Sequence, residues 1–290
     1  MTSVARSATE PSPARTATTP RSPLAFFALV FALSVPFAIL GFVTKLQLMP
    51  GIPISALGFV CPATAAAILS YREGGRAGVS ALLRKSLEFK IIYSRVWLLP
   101  VALLMPCVAL ATYLVMRAAN IPHATPHFPL PASLVLFAAF LVAALGEEIG
   151  WSGYAIDPMQ ERWTALQASV VLGVIWAAWH IIAMVQTGQS APWIAWGCLD
   201  MVATRVIMVW IYNNTSRSVL AVVLFHAIAN LTFKSVFPGG SYESERIISV
   251  ILTVFAVVVA LGWGPHTLTR ARDARGSRAG ESEGHPRENG

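Results

Sequence analysis

Runs of about 20 mainly apolar residues recur along this chain, and that length is what an α-helix needs to cross a bilayer. Within lipid, every backbone polar group must be paired inside its own segment, so runs of this kind specify helices. The 290 residues are 56% hydrophobic and only 12% charged, whereas soluble domains carry about 25% charged residues. The sequence therefore predicts an all-α, polytopic integral membrane protein.

Eight transmembrane spans are expected, joined by short polar loops. They cover residues 23–43, 52–71, 96–116, a run that begins near 131 and holds two glutamates, 166–185, 193–212, 219–236 and 247–263. The first run is longer than the 7–15-residue apolar core of a cleaved signal peptide, so it is expected to be retained. Residues 1–22 and 266–290 are expected to be disordered tails on either side of a transmembrane domain, 23–265.

Basic residues gather in the tails and in alternate loops, which predicts an orientation. The net charge is +7. The loop expected after the second span is basic, with Arg72, Arg76, Arg84, Lys85, Lys90 and Arg95 against Glu73 and Glu88. Because positively charged loops stay in the cytoplasm, both termini are expected there, in a bacterial cytoplasmic membrane. The basic residues do not line one exposed face, so the expected partner is the lipid bilayer and not nucleic acid.

Two adjacent acids, Glu147 and Glu148, close a run of about sixteen apolar residues. A carboxylate inside a membrane is unfavourable unless it is neutralised, paired or in contact with water, so it marks a functional site by default. The helical rise of 1.5 Å per residue puts His180, His226 and Asn230 of later spans at comparable depths. We expect these side chains to converge in one cavity open to the cytoplasm.

These residue types are the ones that let water attack an amide without a serine or cysteine nucleophile. A partly desolvated carboxylate can act as a general base near neutral pH, and a nearby histidine can hold the water. A second histidine and an asparagine amide can donate hydrogen bonds to the developing oxyanion. From the residues alone, two alternatives stay open: hydrogen bonds between helices, and a Glu/Glu/His/His zinc site that lacks HExxH spacing. The tryptophans, Trp176 among them, are expected to pack or to lie in the interface belt.

The motifs resemble, in order and spacing, those of the CPBP (CAAX protease and bacteriocin-processing, or Abi) family of intramembrane glutamic endopeptidases, over about residues 52–236. They are Glu147-Glu148 with Gly153-Tyr154, Trp176-x-x-Trp179-His180, Tyr212-Asn213-Asn214-Thr215-x-x-Ser218 and His226-x-x-x-Asn230. The resemblance implies an eight-helix membrane protease, a peptide or membrane-protein substrate, and neither metal nor cofactor. It also implies that Glu147 activates water, His180 supports that water, and His226 and Asn230 form the oxyanion hole.

One position departs from the family pattern. The first family motif is EExxxR, and Ser152 stands where the arginine belongs. Glu148 therefore lacks the cation expected four residues after it. Arg205 lies inside the sixth span, where an unpaired guanidinium is unfavourable. We predict that Arg205 pairs with Glu148 across helices and supports the site together with Ser152.

The leading hypothesis is an intramembrane endopeptidase that hydrolyses a peptide bond near the cytoplasmic face. A catalytically silent family member, acting as a membrane scaffold or immunity protein, is the alternative, and the missing motif arginine at Ser152 favours it. A proton-coupled carrier would also place acids and histidines in the membrane, although neither broken helices nor an inverted repeat is visible in the sequence.

Overall fold

A computed structural model of the protein describes residues 21–88, 95–123, 125–126, 128–237 and 240–270. This part of the chain is almost entirely helical. Its nine α-helices are α1 (Pro23–Thr44), α2 (Val60–Leu87), α3 (Leu98–Ala118), α4 (Leu130–Glu148), α5 (Ile156–Gln160), α6 (Ala165–Gln186), α7 (Ala191–Asn214), α8 (Val219–Val236) and α9 (Tyr242–Trp263).

Three short elements connect these helices. A two-stranded antiparallel hairpin, β1 (Gln47–Met49) with β2 (Ile52–Pro53), and a 3₁₀ helix (Ile54–Phe59) join α1 to α2. A π-helical segment (Ile149–Ala155) continues α4 into α5. The sequence did not predict the hairpin, and it predicted no change of helix type after the two glutamates.

Eight helical segments of the described chain are long and apolar enough to cross a membrane. The all-α, polytopic fold with eight spans is therefore confirmed. The predicted seventh span coincides with α8, whose first turn is capped by Ser218: its hydroxyl accepts a hydrogen bond from the Ala221 backbone N–H at 3.2 Å. Large apolar side chains such as Leu130 and Val135 face outward, about 70% exposed, as suits a lipid-facing surface.

The segment after the second predicted span is a helix as far as Leu87, so the expectation of a basic loop is wrong for residues 72–87, while residues 89–94 lie outside the described residues. α2 continues to Leu87 and changes direction at Gly74 and Gly75, whose backbone angles are not helical. Gly75 has φ 60° and ψ −148°, a region that is essentially restricted to glycine. Beyond this kink, Leu82 and Ser86 are buried on one face, and that packed face stabilises a helix in spite of its basic residues.

Close approaches between backbones bring the helices together around the two glutamates. A Cβ atom on Gly150 would lie 2.6 Å from Pro62 of α2, and one on Gly173 of α6 would lie 2.9 Å from Val202 of α7. Small residues allow this kind of contact between membrane helices. α6 packs along α7, α4 packs along α8, and α2 packs against the π-helical segment.

The predicted tails, 1–22 and 266–290, lie mostly outside the described residues. The ends that are described contact the helices. Arg21 lies 3.9 Å from the carboxylate of Glu73, and the side chain of Leu268 is fully buried. The division into two disordered tails and one transmembrane domain, and the cytoplasmic orientation of both termini, stay predictions.

Candidate active site

The two glutamates are the last residues of α4, directly before the π-helical segment. Short π-helical segments inside longer helices are frequent at functional sites. Glu147 is 6% exposed and Glu148 is fully buried. Because successive helical residues point about 100° apart, the two carboxylates face different neighbours.

Glu148 is held by groups from three helical elements. Arg205 of α7 donates from Nη1 to Oε2 at 2.9 Å and from Nη2 to Oε1 at 3.2 Å. His226 of α8 has its Nδ1 atom 3.2 Å from Oε1, and the hydroxyl of Ser152 donates to Oε2. Both carboxylate oxygens are therefore occupied. The predicted pairing of Arg205 with Glu148 is confirmed, and both side chains of the pair are fully buried.

Glu147 has a single hydrogen-bond partner among the described residues. The indole N–H of Trp176 donates to its Oε2 atom at 2.9 Å, and Oε1 accepts no hydrogen bond from this part of the protein. The Arg205 guanidinium lies over the Trp176 ring, 4.2 Å from the ring centroid, a cation–π contact. Trp176 thus connects Arg205 to Glu147, so its expected role as a packing or belt residue is incomplete. Its position on the same helical face as His180 was the signal in the sequence.

His180 contacts Trp176, the residue that donates a hydrogen bond to Glu147. Its Nδ1 atom lies 2.9 Å from the Trp176 carbonyl oxygen, and because a carbonyl can only accept, Nδ1 carries a proton and Nε2 is the free ring nitrogen. The Trp176 ring contacts both histidines: its centroid lies 5.1 Å from the ring centroid of His180 and 5.5 Å from that of His226. Asn230 lies one turn beyond His226 on α8 and is partly exposed.

Three of these side chains are close enough to share a metal ion. One ligand atom from each of Glu147, Glu148 and His226 lies within 4.8 Å of the others. The Arg205 guanidinium already engages both oxygens of Glu148, and a divalent cation there would be repelled by it at short range. The donor set suits an ion pair better than a metal, so the absence of a metal cofactor stays our prediction.

The match to a family model covers the part of the chain that carries this site. Residues 129–232 match the family described as "Type II CAAX prenyl endopeptidase Rce1-like". A stretch of 46 residues is 48% identical to "CAAX prenyl protease 2" of Methanococcus maripaludis. This similarity covers 16% of the chain and 17% of that relative.

Glu148 and Arg205 should be energetically coupled. Removing one member of a buried pair leaves the other unpaired, at a cost of about 3–5 kcal/mol, so Glu148→Gln and Arg205→Ala should each strongly destabilise the fold. The double variant leaves neither charge of the pair behind. Its loss of unfolding free energy should therefore be smaller than the summed losses of the two single variants, by more than about 0.5 kcal/mol. Unfolding in mixed micelles measures the four free energies.

Arg217 provides the matched control. Its side chain is 61% exposed and lies 3.3 Å from Asp157. An exposed pair contributes about 0–1 kcal/mol, so Arg217→Ala should change the free energy of unfolding by no more than that. Additive effects of Glu148→Gln and Arg205→Ala would contradict the coupling.

Proposed function

We propose that the chain belongs to the CPBP family of CAAX proteases and is an intramembrane endopeptidase that uses water activated by Glu147. One observation carries the proposal: the two adjacent carboxylates are used unequally. Glu148 has both oxygens engaged by Arg205, His226 and Ser152. Glu147 keeps one oxygen available beside a single indole donor, which is what a general base requires.

The proposed reaction begins with water between Glu147 and His180. Glu147 Oε1 takes a proton from the water while the free Nε2 atom of His180 accepts the other O–H and orients it. The water oxygen attacks the scissile carbonyl carbon and forms a tetrahedral intermediate. As that intermediate collapses, the C–N bond breaks and Glu147 returns its proton to the leaving amine, so the carboxylate is regenerated.

His226 and Asn230 are proposed to stabilise the oxyanion of the intermediate. The Nδ1 atom of His226 faces Glu148, so its Nε2 atom remains to donate. Donation from both ring nitrogens would require the doubly protonated ring. The Asn230 amide would supply a second donor from the next turn of the same helix.

The substitution of serine for the motif arginine is compatible with activity under this proposal. Glu148 needs a neutralising cation, and Arg205 supplies it from α7 through two hydrogen bonds. The alternative, a silent scaffold or immunity protein, rested on the loss of that cation. The name of the archaeal relative makes a prenylated C-terminal peptide the first substrate to test, with leader-type peptides as the second class.

Glu147→Gln should abolish cleavage and leave the fold intact. Glutamine is almost the same size and can still accept a hydrogen bond from Trp176, but it cannot take a proton from water. The measurement is hydrolysis of quenched prenylated and leader-type peptides in liposomes by wild type, Glu147→Gln and Ser152→Arg, with a chelator added in a parallel series. Cleavage that disappears in Glu147→Gln and is insensitive to the chelator is the expected result.

Three outcomes would overturn this proposal. Full activity in Glu147→Gln would remove Glu147 from the chemistry, and loss of activity with the chelator would indicate metal catalysis. A wild-type protein that is silent while Ser152→Arg cleaves would instead identify a degenerate family member.

Trp176→Phe should lower kcat while the protein remains folded. Phenylalanine keeps an aromatic ring beside Arg205 but loses the N–H donor to Glu147. Hydrogen bonds to charged groups contribute about 1.5–3 kcal/mol, which corresponds to a loss of roughly 10- to 100-fold. Trp179→Phe is the control, because the Trp179 indole donates to the hydroxyl of Ser34 at 2.7 Å and not to a carboxylate. Equal losses in both variants would contradict a positioning role for Trp176.

A further inference from the structure

The second half of α2, beyond the Gly74–Gly75 kink, presents two different faces. One face packs against the π-helical segment: Lys85 donates to the Gly153 carbonyl at 2.7 Å and to Asp157 at 2.8 Å. Leu82 and Ser86 are buried on the same side. These contacts fix the half-helix on the bundle, so its opposite face is a preformed surface.

The opposite face is an open groove of about 530 Å³ that none of the site residues lines. It is lined by Tyr71, Arg76, Val79, Ser80, Leu83, Arg84 and Leu87. We call it the α2 groove. Its volume lies in the range of sites that bind small molecules.

The α2 groove consists of two parallel rows of side chains with different chemistry. The first row is polar and consists of Arg76, Ser80 and Arg84, at intervals of four residues. The second row is apolar and consists of Val79, Leu83 and Leu87, also at intervals of four residues. Residues four apart lie on the same side of a helix. A polar row with a guanidinium group at each end therefore runs beside an apolar row. Tyr71 lies before both rows and also lines the groove.

Arg76 and Arg84 are available to a ligand. Both side chains are exposed, and neither makes an ion pair or a hydrogen bond with another described residue. By helical rise they lie roughly 12 Å apart along the axis, with the Ser80 hydroxyl midway. The nearby acid Glu73 is engaged elsewhere, since it accepts a hydrogen bond from the hydroxyl of Tyr154. Within the described part of the chain, the lining of the groove therefore holds two guanidinium groups and no carboxylate.

We propose that the α2 groove binds an anionic phospholipid of the surrounding bilayer. The phosphate of the lipid would lie over Ser80 between Arg76 and Arg84, and an acyl chain would cover Leu83 and its apolar neighbours. Charge complementarity selects the occupant: an apolar row beside two unpaired guanidinium groups fits an amphiphile with an anionic head, and basic pockets at membrane surfaces bind such headgroups. Zwitterionic lipid satisfies the apolar row but not the excess positive charge.

The test is a lipid titration of the full chain, followed by native mass spectrometry of the detergent-solubilised protein. The probes are phosphatidylglycerol and phosphatidylcholine with identical acyl chains. Each basic residue near an anionic headgroup adds to the binding free energy. The double variant Arg76→Gln/Arg84→Gln should therefore bind phosphatidylglycerol roughly 30-fold more weakly. Phosphatidylcholine binding should not change. Leu83→Ser should weaken phosphatidylglycerol binding roughly fivefold through the lost apolar contact.

Arg72→Gln with Arg95→Gln is the matched control. Both arginines are exposed, both flank the same region of the chain, and neither lines the groove. This variant removes the same charge and should bind phosphatidylglycerol like wild type. The proposal is overturned if the control loses as much affinity as the groove variant, if phosphatidylcholine binds as tightly as phosphatidylglycerol, or if inorganic phosphate displaces the lipid. None of these outcomes depends on protease activity.

Discussion

The buried ion pair between Arg205 and Glu148 is the interaction on which the rest of the site depends. Neither side chain is exposed at all, and either charge alone inside a membrane protein would be strongly unfavourable. The same guanidinium lies over Trp176, and the same carboxylate orients His226. One pair of opposite charges therefore sets the relative positions of α4, α6, α7 and α8.

Helix geometry separates the tasks of two glutamates that are neighbours in sequence. Glu148 points to α7 and α8, where cation and imidazole occupy its oxygens, while Glu147 points to α6 and meets the indole of Trp176. A carboxylate that is fully paired serves structure, and one that keeps an oxygen available can exchange protons. This division gives the proposed mechanism its base without a metal or a protein nucleophile.

Much of this arrangement could be predicted from sequence because lipid restricts the options. Apart from the second span, whose helix continues to Leu87, apolar length predicted the spans to within a few residues. The cost of an unpaired guanidinium predicted the pairing of Arg205 with Glu148. The helix beyond Gly75 was not predicted because its basic composition is typical of a loop. Only the packing of Leu82 against the bundle indicates a helix there. The donor role of Trp176 was missed because indole is equally common in packing and in interface belts. Both depend on tertiary contacts, and for Trp176 the sequence offered only the helical face that it shares with His180.

The most direct test is to relocate the guanidinium from α7 to the position four residues after Glu148 and to measure stability and activity. Arg205→Ser and Ser152→Arg are made alone and together, and unfolding and peptide cleavage are measured for all three variants. If Glu148 requires one buried cation, Arg205→Ser alone should be unstable and inactive. Ser152→Arg alone should be destabilised by repulsion between two neighbouring guanidinium groups. The double variant should recover stability and part of the activity. A double variant no better than Arg205→Ser alone would contradict the central role of this pair.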